Sequence, residues 1–255
     1  MDGLTPVCLA VFSHLASAAY PLVFAANRDE LHERPTAPAG WWNDHATILG
    51  GRDLKAGGSW LAVDRRGRLA AVTNFRDGGE ADYPRSRGGL VQDYLTNSIS
   101  ADDYLATLKA HEADYGPYNL VIFDGRRLHY ASNRASGQEL GAGVYALSNT
   151  RLDSAWPKVR HAQTRLSACL GADDPGACLF DLLADESRHA DLPGTTERAT
   201  RLMSTVFIKD DRYGTRSSTV ILLSQHGELR FTERRFGANG VPLGENDERF
   251  EIAGV

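Results

Sequence analysis

The sequence is poor in cysteine, lacks any long hydrophobic run and carries no excess of positive charge, and each absence excludes a class of protein. Its cysteines, Cys8, Cys169 and Cys178, form no C-x-x-C pair and are odd in number, which favours a reducing compartment over a disulfide framework. No segment approaches the roughly 18 consecutive apolar residues that predict a membrane-spanning helix. The N-terminus also lacks the pattern of a secretory signal, so we expect a soluble, cytoplasmic protein with no membrane span.

Charge and histidine spacing exclude further classes. The formal net charge is −5 and the pI is near 5.9, so the chain lacks the positive charge that nucleic-acid backbones attract. Its eight histidines show neither H-x-x-x-H nor H-E-x-x-H spacing, which predicts no metal site, and we expect no cofactor. Cys169 and Cys178 lie on the apolar faces of predicted helices and are interpreted as inert core thiols. A small molecule is therefore the expected partner.

Pairs of apolar segments, each flanking a short polar turn, predict four β-hairpins. Glycine and aspartate at the turns supply the backbone angles that tight hairpins need. The hairpin segments are CLAVFSHLASAAYPLVFAAN, SWLAVDRRGRLAAVTNF, YNLVIFDGRRLHYASN and VILLSQHGELRFTERRF.

Helical periodicity appears between the hairpins, in two consecutive pairs of segments whose apolar residues recur every three or four positions. These segments are RGGLVQDYLTNS, ADDYLATLKAHEADYG, LDSAWPKVRHAQTRLSACLG and GACLFDLLADESRHA. The stretch from Leu192 to Thr200 contains proline, glycine and three threonines and is the most loop-like. Hairpins followed by helix pairs favour antiparallel sheets with helices packed outside, an α+β architecture in one domain.

Cys8 opens the first predicted strand and follows a leader of only seven residues, MDGLTPV. If the leader were absent, Cys8 would carry both a thiol and a free α-amine, whose ordinary pKa near 8 suits a base for a thiol of pKa about 8.5. The alternative interpretation is a small apolar residue at the start of a buried strand. Because a GTG codon for Val7 could also start translation, a later start or cleavage after Val7 would expose Cys8.

Six sequence blocks occur in order between Cys8 and Leu223, namely CLAVF, FAANRDE, GGSWLAV, LAAVTNFR, GVYALSNTRLDSAWPKV and YGTRSSTVILL. In these blocks the chain resembles the NRDE family, also called the Transport and Golgi organisation family, whose namesake run is Asn27 to Glu30. The resemblance implies an N-terminal-nucleophile (Ntn) hydrolase fold, a four-layer αββα sandwich with two antiparallel sheets between helix layers. It also implies a link to lipid and acyl-coenzyme A homeostasis and to haem handling, whereas hydrolase activity is implied by the fold alone.

The resemblance extends to the cysteine Ntn hydrolases of the penicillin V acylase and bile salt hydrolase type, which set an Arg and an Asp beside the nucleophile. The matching candidates here are Cys8, Arg28 and Asp29. Those enzymes separate the arginine from the aspartate, whereas adjacent residues of a regular strand point to opposite faces. If the strand continues, Asn27 and Asp29 share one face and Arg28 lies on the other, paired with Glu33 or another acid.

Three more positions match the family blocks and suit acyl transfer: Asn74, Asn149 and Arg216. A side-chain amide beside the thiol can stabilise a developing oxyanion by about 3 to 4 kcal/mol, and Arg216 could hold the thiolate. The asparagines could instead cap turns through the backbone. The aromatic residues of the expected binding set could likewise belong to the core. That binding set is Asn27, Arg28, Trp60 and Phe75.

Two functions remain open on the sequence. The first is an Ntn-type cysteine amidohydrolase that cleaves a C–N or acyl bond of a hydrophobic or amide-containing small molecule, with Cys8 as nucleophile. The second is a non-enzymatic binding protein for a hydrophobic ligand such as haem or acyl-coenzyme A. Only the enzyme requires a free amine on Cys8. The expected Ntn-like domain covers residues 8–255, and residues 1–7 form a leader that is absent or processed.

Overall fold

The computed structural model describes residues 8–76, 82–191 and 194–253, and every structural statement below concerns these residues. The leader at residues 1–7 lies outside them. The chain divides into two compact units, the first of residues 1–33 and 142–249 and the second of residues 34–141 and 250–255. The expected single domain over residues 8–255 stays a prediction.

Strands predominate in both units, and five helices accompany them in the described residues. In chain order the strands are β1 (Leu9–His14), β2 (Leu22–Leu31), β3 (Thr36–Trp41), β4 (Ile48–Asp53), β5 (Leu61–Asp64), β6 (Leu69–Asn74), β7 (Tyr118–Phe123), β8 (Leu128–Ser132), β9 (Gln138–Leu140), β10 (Gly143–Leu147), β11 (Tyr213–Leu223), β12 (Glu228–Phe236) and β13 (Pro242–Glu251). The helices are α1 (Gly88–Thr96), α2 (Ala101–Ala110), α3 (Pro157–Cys169), α4 (Pro175–Leu183) and α5 (Glu197–Ser204).

The sheet of the first unit has six strands in the order β10-β1-β2-β11-β12-β13. Alternate residues of β1 and β2, such as Leu9 and Val23, are fully buried in a core that α3 and α4 complete. On the opposite face Phe12 stacks on Phe24, with ring centroids 5.4 Å apart. This division follows from the strand geometry, because successive side chains point to opposite faces. The helices therefore pack on one face of the strands that carry the predicted site.

The sheet of the second unit has seven strands, β3 to β9, each paired with its neighbour in the chain. Its core joins strand residues such as Ile48 and Leu120 to the apolar faces of α1 and α2. Gly57 and Gly58 precede β5 with φ of 72° and 73°, and a Cβ on Gly58 would collide with the backbone of Gly88. The Gly-Gly pair therefore makes a tight turn against the start of α1.

The α+β class with two antiparallel sheets is confirmed. All four predicted hairpins are present, as β1–β2, β5–β6, β7–β8 and β11–β12. Gly67, Gly125 and Gly227 have positive φ at three of their turns, as hairpins of this kind require. The sequence pattern does not predict β3, β4, β9, β10 and β13, because these strands are short, rich in glycine or largely polar.

Two helix predictions need correction. α4 ends at Leu183, although the predicted segment continues to Ala190. α5 begins at Glu197, inside the stretch predicted to be most loop-like. Thr196 starts this helix, since its hydroxyl accepts a hydrogen bond of 3.1 Å from the backbone N–H of Ala199. The threonines that suggested a loop thus include a helix cap.

The cysteine prediction is also wrong. Cys169 at the end of α3 and Cys178 in α4 form a disulfide, with their Cα atoms 5.5 Å apart. Cys8 is the free cysteine of the described residues. A separate prediction concerned membrane spans, and none of the described helices is both long and apolar enough to cross a bilayer.

Candidate active site

Strand β2 continues through the polar run Asn27 to Glu30 and ends only at Leu31. The run is paired on both sides, with Leu9 of β1 opposite Asn27 and Thr215 of β11 opposite Asp29. The pairing with β11 shifts register between Thr215 and Ser217, so that Arg216 is the extra residue of a bulge. The expected alternation therefore applies: Asn27 and Asp29 share one face, and Arg28 lies on the other.

Cys8 immediately precedes β1 and is half-buried. Its Sγ lies 3.9 Å from the backbone oxygen of Asp29, and its own carbonyl oxygen accepts a hydrogen bond of 2.7 Å from Ser148 Oγ. Burial and the charge of Asp29 together raise the pKa of the thiol to about 12, against the opposing effects of the contact with the Asp29 backbone oxygen and of the charge of Arg28. The sequence led us to expect a cation to dominate and favour the thiolate, and burial reverses that direction.

Asp29 is a buried carboxylate beside the thiol. Its Oδ1 accepts a hydrogen bond of 2.7 Å from Thr215 Oγ1, whereas its buried Oδ2 has no hydrogen-bond partner among the described residues. Burial raises the pKa of Asp29 to about 6, and Lys158, Thr215 and Arg28 oppose that rise. A buried carboxylate oxygen without a donor is costly, so this oxygen is suited to accept a hydrogen bond from a ligand.

Lys158 is the residue of the site that the sequence analysis missed. It is the second residue of α3, and its exposed fraction is 0%. Burial lowers the pKa of Lys158, while the charges of Asp29 and Cys8 raise it. Desolvation and the positive end of the helix dipole both disfavour the charge of a buried lysine at a helix N-terminus. The lysine therefore needs a compensating anion, which Asp29 supplies. Lys158 lies in the block GVYALSNTRLDSAWPKV, which was part of the family resemblance, but its burial depends on where α3 packs and cannot be read from the block.

Arg28 and Arg216 are neighbouring cations near the end of β2, and a role of Arg216 in the site stays a prediction. Arg28 is buried, and its Nη2 lies 4.0 Å from Glu30 Oε2, so its acid is Glu30 rather than the suggested Glu33. Arg216 Nη1 donates a hydrogen bond of 2.7 Å to the backbone oxygen of Leu31. Burial and the nearby charge of Arg28 lower the pKa of Arg216, and Glu30 raises it. With Lys158 and Asp29, the cluster thus has one more cation than carboxylate.

Asn27 serves the scaffold in this structure. Its exposed fraction is 1%, and its Nδ2 donates to the backbone oxygens of Leu183 and Val206 at 2.8 and 3.1 Å. Its Oδ1 accepts a hydrogen bond of 2.6 Å from Ser218 Oγ. These contacts tie the end of α4 and the segment before β11 to the sheet. A ligand-binding role for Asn27 stays a prediction, and the observed contacts favour a structural one.

Asn149 lies in the turn after β10 and is fully buried. Leu147, two residues earlier, pairs with Ala10 of β1, which brings this turn next to Cys8. Ser148 links the two, because its hydroxyl donates to the carbonyl oxygen of Cys8 and lies 3.4 Å from Asn149 Oδ1. The first unit therefore brings Cys8, Asp29 and Asn149 into one neighbourhood.

The remaining predicted site residues belong to the second unit. Asn74 ends β6 opposite Tyr118, and the backbone N–H of Phe75 donates to the oxygen of Pro117 at 2.9 Å. The indole ring of Trp60 occupies the space that a side chain on Gly51 would need. Each residue thus has a defined place in its own sheet. Their convergence with Cys8 stays a prediction.

A family model described as Transport and Golgi organisation 2 matches residues 7–238. The chain belongs to this family. It is 32% identical over 256 residues to the Transport and Golgi organization protein 2 homolog of Bos taurus, and the match covers 91% of each chain. It is 32% identical over 239 residues to that of Homo sapiens, covering 85% of this chain and 87% of the relative. The resemblance carried by the six sequence blocks is therefore confirmed.

Solved structures show the same fold at low sequence identity. Two variants of the conjugated bile acid hydrolase from Clostridium perfringens superpose with a TM-score of 0.51, at 10% and 11% identity. Each match covers 96% of this chain and 92% of the other. The likeness confirms the Ntn-hydrolase type of fold, and at such identity it shows the fold alone.

Proposed function

We propose that this protein is an Ntn-type cysteine amidohydrolase that cleaves the C–N or acyl bond of a small hydrophobic amide, with Cys8 as nucleophile. The observation that carries the proposal is the placement of the Cys8 thiol beside two buried charges of opposite sign, Asp29 and Lys158. Buried charges are costly, and they concentrate where chemistry requires shifted pKa values. The name of the bile acid hydrolase supports an amide or acyl substrate only by analogy.

The proposed reaction begins with the thiol proton of Cys8, which must pass to a base because the pKa of the thiol is raised. A free α-amine on Cys8 would accept that proton, and the unpartnered Oδ2 of Asp29 would accept a hydrogen bond from the resulting ammonium. Sγ then forms a bond to the carbonyl carbon of the substrate. The carbonyl electron pair moves to oxygen, and the extra positive charge of the cluster stabilises the oxyanion.

The second half of the reaction returns the site to its starting state. The C–N bond breaks as the ammonium gives its proton to the leaving amine, which leaves a thioester on Cys8. Water, which gives a proton to the same amine, then attacks the thioester carbonyl; the C–S bond breaks, the acid is released, and the ammonium returns the proton to the Cys8 sulfur. Asn149, which lies next to Cys8 in the first unit, is the proposed amide donor to the oxyanion, and Lys158 is a positioning residue that maintains the charge of Asp29.

A non-enzymatic binding role is the second candidate, and one observation favours it. With a pKa of about 12, the Cys8 thiol is neutral near pH 7 and its Sγ lies within reach of a backbone oxygen, as in a structural cysteine. A chain that keeps residues 1–7 would have an amide in place of the α-amine. Cys8 would then have no base of its own, which suits a carrier for haem or acyl-coenzyme A rather than an Ntn hydrolase.

The test compares three proteins on a panel of fatty-acyl and aromatic amides with chromogenic leaving amines. These are the full chain, a chain released from a fusion so that it begins at Cys8, and the same short chain with Cys8→Ser. We expect turnover from the chain that begins at Cys8, with an acyl adduct on Cys8 detected by intact mass. Absence of turnover and adduct in that chain, with haem or acyl-coenzyme A bound equally by all three, would establish the binding role instead.

A further inference from the structure

A second cluster of chemically active side chains lies in the first unit, away from the residues assigned above. His161 of α3, Asp185 after α4 and His189 each offer one ligand atom, and these atoms all lie within 4.8 Å of one another. His161 Nε2 is 3.0 Å from Asp185 Oδ2, and His189 Nε2 is 3.2 Å from the same oxygen. Two imidazoles thus face one carboxylate oxygen.

Both imidazole nitrogens lie at ion-pair distance from this carboxylate oxygen. Both Nε2 atoms are shielded from solvent, and neither makes a well-aligned hydrogen bond within the described residues. The rings stack with centroids 3.6 Å apart and planes 17° from parallel. Neutral imidazole is the form that binds metals, and a bound cation would sit between the carboxylate and the two ring nitrogens.

We propose that His161, Asp185 and His189 bind a divalent first-row transition-metal ion, with zinc the best fit. Two imidazoles and one carboxylate are an established ligand set for such ions, and water completes the coordination. Bonds of about 2.0 to 2.2 Å at tetrahedral angles place ligand atoms roughly 3.3 Å apart. The observed N···O separations of 3.0 and 3.2 Å are close to that value. Coordination requires the rings to splay from their stack so that both lone pairs reach one ion.

The backbone around the site holds the ligands in place. Asp185 Oδ1 accepts a hydrogen bond of 2.8 Å from the N–H of Ser187, which leaves Oδ2 facing the imidazoles. The carbonyl oxygen of Asp185 accepts from Phe207 N at 2.9 Å, and His189 N donates to Ser204 O at 3.1 Å. Such supporting contacts are typical of metal sites. They fix two ligands on one segment, while α3 supplies the third.

The site lies near the surface. The side chains of His161, Asp185 and His189 are 26%, 21% and 14% exposed although both Nε2 atoms are shielded, so the splaying of the rings would admit the ion and its water ligand. The bound ion would join α3, the helix of Lys158, to the segment whose preceding residue Leu183 is held by Asn27. The site would therefore stabilise the frame of the candidate active site without contacting Cys8.

The test is calorimetric titration of the chelator-treated full chain with zinc chloride. Because Cys8 is itself a potential ligand, the titration is repeated with Cys8→Ser. We expect one zinc ion per chain in both proteins. His161→Phe and His189→Phe each keep a ring in the stack and remove a donor, and we expect each to weaken binding at least about tenfold. His226→Phe, which alters an exposed histidine of the β11–β12 turn, is the matched control and should bind as the wild type does.

Cobalt chloride gives an independent readout, because a site of nitrogen and oxygen donors lacks the intense near-ultraviolet band of thiolate coordination. Circular dichroism of each metal-free variant checks that the fold is retained. The proposal is overturned if the wild type binds no zinc, if both phenylalanine variants bind it like the wild type, or if Cys8→Ser abolishes binding. Equal loss in His226→Phe would also overturn it, since it would show that zinc binds scattered surface histidines.

Discussion

Thr215 Oγ1 donates a hydrogen bond of 2.7 Å to Asp29 Oδ1 and accepts one of 3.0 Å from the backbone N–H of Ile208. The two residues are also cross-strand neighbours in the pairing of β2 with β11. A single hydroxyl therefore connects the buried carboxylate of the site to the segment that leads into β11. Because Asp29 Oδ2 has no donor among the described residues, the bond from Thr215 stabilises the ionised form of Asp29 and so lowers the pKa of this carboxyl group.

Thr215→Val tests this relationship. The substitution removes the donor and leaves a buried carboxylate with weaker solvation, so we expect a loss of about 1.5 to 3 kcal/mol in the free energy of unfolding near neutral pH. Urea unfolding gives the measurement. Thr219→Val is the matched control, since Thr219 is equally buried on β11 but lies opposite Ala26. Equal losses in the two variants would show that the bond to Asp29 has no special contribution.

The pH dependence of stability should report on Asp29. Its pKa is raised from 3.8 to about 6, so the folded state binds more protons than the unfolded chain between these values. The resulting stabilisation is complete below about pH 4 and is lost as the pH rises through about 6, at a cost of about 3 kcal/mol. Asp29→Asn removes this dependence. Unfolding free energies at several pH values from 4.5 to 7.5 should therefore decline less in Asp29→Asn than in wild type.

The exposed Asp181 of α4 provides the control for that measurement, because Asp181→Asn keeps the buried carboxylate of the site. It should retain the decline of the wild type. A decline in Asp29→Asn as steep as in the wild type would mean that other groups cause it.

The features that could be predicted from the sequence were the hairpins and the faces of their strands, because these depend on the local pattern of residues. The hairpins were visible because apolar runs such as β1, β5 and β7 are each followed by a short turn and a second apolar run, and because glycine marks the turns after β5, β7 and β11. The alternation of side chains along a strand also assigned Asn27 and Asp29 to one face. What it could not show was burial by distant segments. The raised pKa of Cys8 and the buried state of Lys158 depend on how α3 packs against β1. These two elements are distant in the chain, as are Ser148 and Cys8, which form a hydrogen bond across 140 residues.

The same limit explains the histidines and the cysteines. His161 and His189 follow no recognised spacing, and Asp185 completes their cluster only because α3 and the end of α4 are adjacent. Cys169 and Cys178 likewise meet because α3 and α4 form a helix pair. Each helix was predicted, but the contact between them was not. Pairwise geometry of this kind is set by tertiary packing rather than by the segments themselves.

Asn27 should prove important for stability. Asn27→Ala removes donors to the backbone oxygens of Leu183 and Val206 and an acceptor for Ser218, all buried. We expect a loss of about 2 to 4 kcal/mol, from three hydrogen bonds of about 1 kcal/mol each and the groups left unsatisfied. Urea unfolding measures the change. Asn97→Ala, at an exposed position after α1, should cost much less, and equal costs would contradict a scaffold role.

Cysteine reactivity tests both the raised pKa of Cys8 and the disulfide between Cys169 and Cys178. In the full chain without reductant, iodoacetamide should label Cys8 alone, because Cys169 and Cys178 form a disulfide. Labelling should be slow near pH 7 and accelerate steeply with pH, since the thiolate is scarce below a pKa of about 12. Peptide mapping after timed labelling gives the rate. Labelling of Cys178 at a rate comparable to Cys8 would contradict the disulfide, and rapid labelling of Cys8 at pH 7 would contradict the effect of burial.

Lys158 and Asp29 should be energetically coupled. Lys158→Met leaves Asp29 as an uncompensated buried charge, so we expect a loss of about 3 to 5 kcal/mol in the free energy of unfolding. Lys158→Met combined with Asp29→Asn removes both charges and should recover part of that loss, giving a coupling energy of more than about 1 kcal/mol. The same substitution at Lys109, which is 74% exposed on α2, should change stability little.

In Lys158→Met the pKa of Asp29 should rise, because the charge that lowers it is gone. The decline of the unfolding free energy with pH should therefore move to higher pH. Additive losses, with no shift of the decline, would show that Lys158 is buried for packing alone and would remove it from the proposed site.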